Sequence, residues 1–244
     1  MITIEEVLKI HILNIETATS ICSVALTKNN ELLSCRESDD KNSHSSKLTL
    51  FIDEVIKEVD INYTDLDAIA VSKGPGSYTG LRIGVSTAKG LCYALDKPLI
   101  SVGTLQAMAL GMAEKFITEN LYEKPVLFCP MIDARRMEVY SALYDSNNKE
   151  VREIRAEIID KNSFSEFLQN NEIIFFGDGA SKCKQVLAHR KNAIFIDNFF
   201  PSASFITEIA NLKFKNKDFE DVAYFEPFYL KDFIPGKPKV KGLY

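Results

Sequence analysis

The stretch Lys73-Gly-Pro-Gly-Ser-Tyr-Thr-Gly-Leu-Arg-Ile-Gly84 places four glycines and a proline within twelve residues. Glycine admits backbone angles and close approaches that a Cβ forbids, and proline fixes φ, so this stretch restricts the fold strongly. An apolar run suited to a strand, Ala68-Ile-Ala-Val71, precedes it, and a helix-like run over 81–95 follows. The segment reads as a strand-to-helix turn. Such turns can bind phosphate, because N–H groups at a helix start attract anions. The spacing nevertheless fits no standard phosphate loop. A P-loop ends in Gly-Lys-Ser/Thr, whereas Gly80 is followed by Leu81 and Arg82. A dinucleotide fingerprint begun at Gly74 and Gly76 needs a third glycine where Thr79 stands.

Alternation and turn signals map the rest of the first half. Strands are expected at 10–15, 20–28, 32–37, 67–72 and 98–102, with helices over about 45–59, over 81–95 and from Thr104 to about Glu119. The pattern then restarts. Val126-Leu-Phe-Cys-Pro-Met-Ile-Asp-Ala134 resembles 11–17 in one respect: each is an apolar strand ending in an acid and a small residue, Glu16-Thr17 and Asp133-Ala134. Strand-like runs follow both, then the turns Asn29-Asn30 and Asn147-Asn148, then further strands at 32–36 and 151–157. A helix near 163–169, a strand at 173–176, the loop Gly177-Asp-Gly-Ala180 with a helix to about 190, a strand at 193–196 and a helix over 202–214 complete the second half. The whole reads as a duplicated unit: two lobes, 10–103 and 104–234, with a crevice between them. Residues 1–9 read as an extension, and the Pro/Gly/Lys-rich 235–244 as a mobile tail.

Composition and missing motifs exclude several functions. Apolar residues make up 46% and charged residues 26% of the 244, as in globular proteins, and no run of about 18 apolar residues suits a membrane helix. Glu5 and Glu6 oppose a signal peptide. The cysteines (Cys22, Cys35, Cys92, Cys129 and Cys183) form no Cys-x-x-Cys pair, and Cys22, Cys92 and Cys129 lie in apolar runs suited to buried thiols. These features point to the cytoplasm. A net charge of −5 opposes autonomous nucleic-acid binding. His11, His44 and His189 supply no metal-binding pair at helical spacing, and neither a zinc-protease motif nor a nucleophile elbow is present. His44 reads as part of a polar helix start, with Ser45 or Ser46 as the N-cap.

The helix over 81–95 carries a second signal. Gly80, Gly84 and Ala88 share one side, extended by Leu81, Val85, Cys92 and Leu95, while Arg82, Ser86, Lys89 and Tyr93 lie opposite. The helix before it aligns Leu48, Phe51, Ile52, Val55, Ile56 and Val59, with Leu50 opposite. Small residues every four positions admit a close neighbour, which is either a partner or another part of this chain.

A duplicated unit with an acid after each first strand resembles the superfamily of actin, sugar kinases and heat-shock ATPase chaperones (ASKHA). The resemblance implies an α/β fold: a duplicated ASKHA (actin-like, RNase H-like) two-lobe fold with mixed β-sheets flanked by helices. It also implies that the turn after each first strand cradles phosphate, and the loop from Gly177 resembles the superfamily's adenosine loop, which makes Thr17, Asp133, Arg135, Gly177 and Gly179 candidate nucleotide contacts. The sequence departs from the pattern. Ala18 stands where glycine is usual, Glu16 is longer than the usual aspartate, and Asp133-Ala-Arg-Arg136 also lacks glycine. The arginines either clamp an anion or sit in surface salt bridges, and the Gly177 loop is either an adenosine loop or a plain turn.

Ile12-Leu-Asn-Ile-Glu-Thr-Ala-Thr19, His44-Ser45, the Lys73–Gly84 string, Met131-Ile-Asp-Ala-Arg-Arg136 and Glu138-Val-Tyr140 together are similar to the TsaB (YeaZ) family. That resemblance implies an accessory subunit and not an enzyme in itself. Its implied partners are TsaD, a homologue carrying the metal and active site, and the ATPase TsaE, which together place a threonylcarbamoyl group on a tRNA adenosine. It further implies a homodimer in isolation, through first-lobe helices. Leu48, Ile52, Val55, Tyr78, Leu81, Gly84, Val85, Ala88 and Lys89 are then the expected partner surface. No cofactor or metal of its own is expected; ATP/ADP and metal belong to the partner subunits, tRNA is met only through the complex, and no membrane is involved. The alternative is an ASKHA-type small-molecule kinase or ATPase acting alone. A metalloprotease reading lacks its metal site.

Overall fold

The computed structural model describes residues 9–40, 44–117 and 124–231. Most of the expected extension, all of the expected tail and the end of the helix expected to reach about Glu119 lie outside these residues. The first sheet contains β1 (His11–Glu16), β2 (Cys22–Lys28), β3 (Glu31–Ser38), β4 (Ala68–Gly74) and β5 (Leu99–Gly103), in the order β3-β2-β1-β4-β5. The second contains β6 (Val126–Asp133), β7 (Glu138–Tyr144), β8 (Glu150–Ile158), β9 (Glu172–Phe176) and β10 (Ala193–Ile196), in the equivalent order β8-β7-β6-β9-β10. In each sheet the first three strands run antiparallel and the last two run parallel to the first. The duplication read from the sequence is thus a repeat of the whole strand order.

Both faces of each central strand are covered, which is why these strands are apolar at successive positions. Leu13 and Ile15 of β1 face α1 (His44–Val59) and α2 (Tyr78–Leu95), whose Leu48, Ile52, Val55, Val85 and Ala88 complete that core. α1 buries one stripe at helical spacing and ends at Asp60, whose left-handed φ of 57° lets Ile61 N donate back to Ile56 O. Ser77 caps α2 by accepting from Gly80 N at 3.2 Å, and Asp96 ends it with φ 52°. The helix expected at 163–169 is the short α4 (Ser165–Leu168); with α5 (Ala180–Leu187) it covers the outer face of the second sheet.

The layer between the sheets is made by exchange. α3 (Thr104–Ile117) follows the first sheet in sequence but packs Met108 and Met112 against Phe128, Ile132 and Ile174 of the second. α6 (Thr207–Lys215) follows the second sheet but lays Ile209 and Ala210 on Ile12, Ala70 and Ile100 of the first. The helix expected over 202–214 is divided, with a 3₁₀ turn at Ala203–Ile206 preceding α6. The chain beyond α6 also returns to the first sheet, where Glu220 N donates to Leu99 O at 2.8 Å. The last part of the expected second lobe therefore builds on the first.

One local expectation needs correction, and one holds. α1 begins at His44, so Ser45 and Ser46 lie within its first turn and neither is its N-cap. His44 itself is buried, and its Nε2 donates to Thr19 O at 2.8 Å, the only role a carbonyl partner allows. Cys22, Cys92 and Cys129 are buried free thiols, as is Cys183, while Cys35 is half-buried. Burial pushes the Cys22 thiol up to about 11 and the Cys92 thiol up to about 12.

Candidate functional site

The glycine-rich turn packs against the turn after β1. Ser77 N donates to Ala18 O at 2.6 Å, and Thr17 Oγ1 donates to Gly80 O at 2.8 Å. A Cβ on Gly76 would overlap Ala18 O, one on Gly80 would overlap Thr17 O, and one on Gly84 would overlap Thr17 Oγ1. The neighbour admitted by the small-residue spacing is therefore this chain's own first turn. Gly74, with φ +112°, serves a different approach: Phe228 N donates to Lys73 O at 2.7 Å, and a Cβ there would stand 2.7 Å from Phe228 O.

This geometry corrects the expected partner surface. Leu48, Ile52, Val55, Leu81, Gly84, Val85 and Ala88 are buried within the chain, because the side of each helix that carries them faces the sheet or the first turn. Tyr78 is half-covered by the Tyr229 ring, 4.8 Å centroid to centroid. Lys89 Nζ donates to Ala223 O at 3.2 Å and Phe225 O at 2.9 Å. The outward sides of the two helices carry Leu50, 52% exposed, and Tyr93, 88% exposed, with Ile83 half-buried. Leu50 and Tyr93 were visible in the sequence on the sides opposite the apolar stripes; the stripes themselves were the misleading signal.

The two first-strand turns face a cleft of about 840 Å³ between the sheets, whose lining includes Ser45, Ser77, Thr79, Arg135, Tyr140 and Lys231. Glu16 lies beneath the first turn with no exposed surface. Its Oε1 accepts from Ala18 N at 2.6 Å and from Ser72 Oγ at 2.9 Å, while Oε2 has no partner among the described residues. Burial pushes its carboxyl up to about 7, against the opposing effect of those hydrogen bonds. Thr17 is buried and does not line the cleft.

The second turn is open. Asp133 is about half exposed; its Oδ1 accepts from Arg135 N at 2.7 Å and pairs with Lys182 Nζ at 2.5 Å. Asp133 N donates to Asp178 Oδ1 at 3.0 Å. Burial raises the Asp178 carboxyl, with a smaller contribution from the charge of Asp133, while N–H donors at Asp133 and Gly179 oppose the rise. Arg135 and Arg136 both adopt left-handed φ, 70° and 51°. Gly177 also has positive φ, and Gly179 N donates to Met131 O at 3.0 Å, so the loop 177–179 is pinned to the end of β6. Of the five nucleotide-contact candidates, only Asp133 and Arg135 line the cleft.

A phosphate does not fit the first turn, because Ala18 N is already taken by Glu16 and the start of α2 fills the space against Thr17 and Ala18. Among the described residues, no group of three His, Cys, Asp or Glu side chains is placed to hold a metal ion, and no helix is long and apolar enough to cross a membrane.

The family model for TsaD, tRNA N6-adenosine threonylcarbamoyltransferase, matches residues 38–234. The chain is 29% identical over 235 residues to the tRNA threonylcarbamoyladenosine biosynthesis protein TsaB of Haemophilus influenzae, covering 93% of this chain and 95% of that protein. It is 30% identical to TsaB of Buchnera aphidicola subsp. Acyrthosiphon pisum, covering 85% and 91%. YeaZ from Pseudomonas aeruginosa has the same fold, with a TM-score of 0.76 at 21% identity over 91% of this chain and all of that one. With its repeated strand order and the glycine string that closes its first turn, the chain belongs to the TsaB (YeaZ) family.

Proposed function

We propose that this chain is a non-catalytic subunit of a tRNA threonylcarbamoyladenosine modification complex, in which it binds and activates TsaD together with TsaE. The observation that carries this reading is the first-half turn: the duplicated fold is kept, yet its phosphate-cradling position is filled by the chain itself. A lone kinase or ATPase needs that turn free. On this reading ATP/ADP and metal belong to the partner subunits, tRNA is met through the complex, and the site of action is the cytoplasm.

The surface we assign to TsaD, and to a second copy in isolation, is the outward side of α1 and α2 around Leu50, Ile83 and Tyr93. An exposed leucine and an almost fully exposed tyrosine on adjacent helices suit an interface core better than solvent. Size-exclusion chromatography of the purified chain with TsaD tests this. A co-eluting complex that Leu50→Arg disrupts, with the variant still folded by circular dichroism, is expected. Failure of the wild-type chain to associate with TsaD, or to raise threonylcarbamoyl transfer by TsaD and TsaE, overturns the reading.

A further inference from the structure

Backbone N–H groups gathered in a tight turn form a concavity suited to an anion. After β1 the chain supplies the acceptor itself. The Glu16 carboxyl folds back onto its own turn, where Oε1 receives Ala18 N and Ser72 Oγ. No cation pairs with it among the described residues, although it has no exposed surface. A bare carboxylate is costly to bury, so the donors that surround it matter energetically. Three glycines four residues apart in sequence, Gly76 in the loop and Gly80 and Gly84 in α2, bring the loop and α2 down onto Thr17 and Ala18.

We propose that Glu16 is an internal ligand: its carboxyl occupies the donors of the first-half turn, and the three glycines seat that turn so that no small oxyanion from solution takes its place. The site is a carboxyl-binding pocket whose ligand is tethered to the chain. This inference does not depend on the partner assigned above, since it concerns the isolated chain.

Removing the tether exposes the pocket. In Glu16→Ala at about pH 4.5, where the native carboxyl carries its proton, the unfolding temperature should fall, then recover with formic acid–formate buffer and not with sodium chloride at equal pH and ionic strength. The wild type should respond equally to both salts. The amide resonances of Thr17 and Ala18 should shift saturably with formate in the variant only, and inorganic pyrophosphate should leave both unmoved in the wild type. A folded Glu16→Ala chain that shows no formate-specific recovery overturns the proposal. So does a saturable pyrophosphate shift at Ala18 in the wild type. If Glu16→Ala does not fold, Glu16→Gln retains a carbonyl oxygen for Oε1, and hydrogen exchange at Ala18 should stay as slow as in the wild type. Exchange at the unprotected rate, with the rest of the sheet still protected, overturns it equally.

Discussion

Glu16 and Asp133 end the first strands of the two sheets, and each accepts a hydrogen bond from the backbone N–H two residues on. Beyond that shared bond they diverge. Glu16 has no exposed surface and no cation among the described residues; Asp133 is half exposed and neutralised by Lys182. The difference arises in the segment after the fourth strand of each sheet. After β4 come Gly76, Gly80 and Gly84, which let an 18-residue helix settle on the turn. After β9 comes Gly177-Asp178-Gly179, whose aspartate side chain reaches Asp133 N and holds the turn open to the cleft. One topology thus yields a sealed turn and an open one, and a few glycine positions decide which.

The sharpest way to break the comparison is to unseal the first turn. Gly80→Leu places a side chain where Thr17 O lies, between two backbone segments that have no room to yield. Overpacking at such a site should cost on the order of 3 kcal/mol or more in urea unfolding. Gly90→Ala in the same helix meets nothing within 4 Å and should stabilise by about 0.5–1 kcal/mol. Equal gains at both positions would mean that helix propensity, and not the seal, governs the stretch.

Acidity gives the next largest effect. The folded-state value for Glu16 is raised from 4.5 to about 7, so the folded protein holds this proton more tightly than the unfolded chain. Its contribution to stability is fully present below about 4.5, shrinks as pH rises through 7, and amounts to a change on the order of 3 kcal/mol. Glu16→Gln should flatten that slope and exceed the wild type in stability above neutrality, as measured by denaturation midpoints across pH. A wild-type curve that rises over this interval, with Glu16→Gln following it, would remove Glu16 as the cause.

The open turn should be the tolerant one. Asp133→Asn weakens only a half-exposed pair with Lys182, so stability should change by about 1 kcal/mol or less. A loss as large as that for Gly80→Leu would show that the two turns are equally structural.

Much of this contrast could be read in the sequence, and its limits are physical. The repeated acid, turn and strand pattern revealed both sheets, because strand periodicity and Asn-Asn turns are local signals. The spacing of Gly80, Gly84 and Ala88 announced a close approach, yet the approaching group, Thr17, lies more than sixty residues earlier and has no local signature. For the same reason the apolar stripes of α1 and α2 read equally well as a partner surface. The return of residues 219–229 to the first sheet was illegible: Lys89 binds backbone carbonyls there, and Phe228 N binds Lys73 O, contacts that any side chains could accompany. The ranges of α3 and α6 could be read along the chain, but no local signal placed α6 on the first sheet.

The exchange of α3 and α6 between the sheets governs how the molecule holds together. Sever the chain after Gly103 and the upstream fragment loses α6, the cover of Ile12, Ala70 and Ile100, while the downstream fragment keeps a helix it cannot use on its own sheet. Neither piece is a self-sufficient module. Mixed together they should reassemble into one body, and in the intact chain heat should melt both sheets in a single cooperative step. The duplication doubled the architecture without doubling the number of independent folding units.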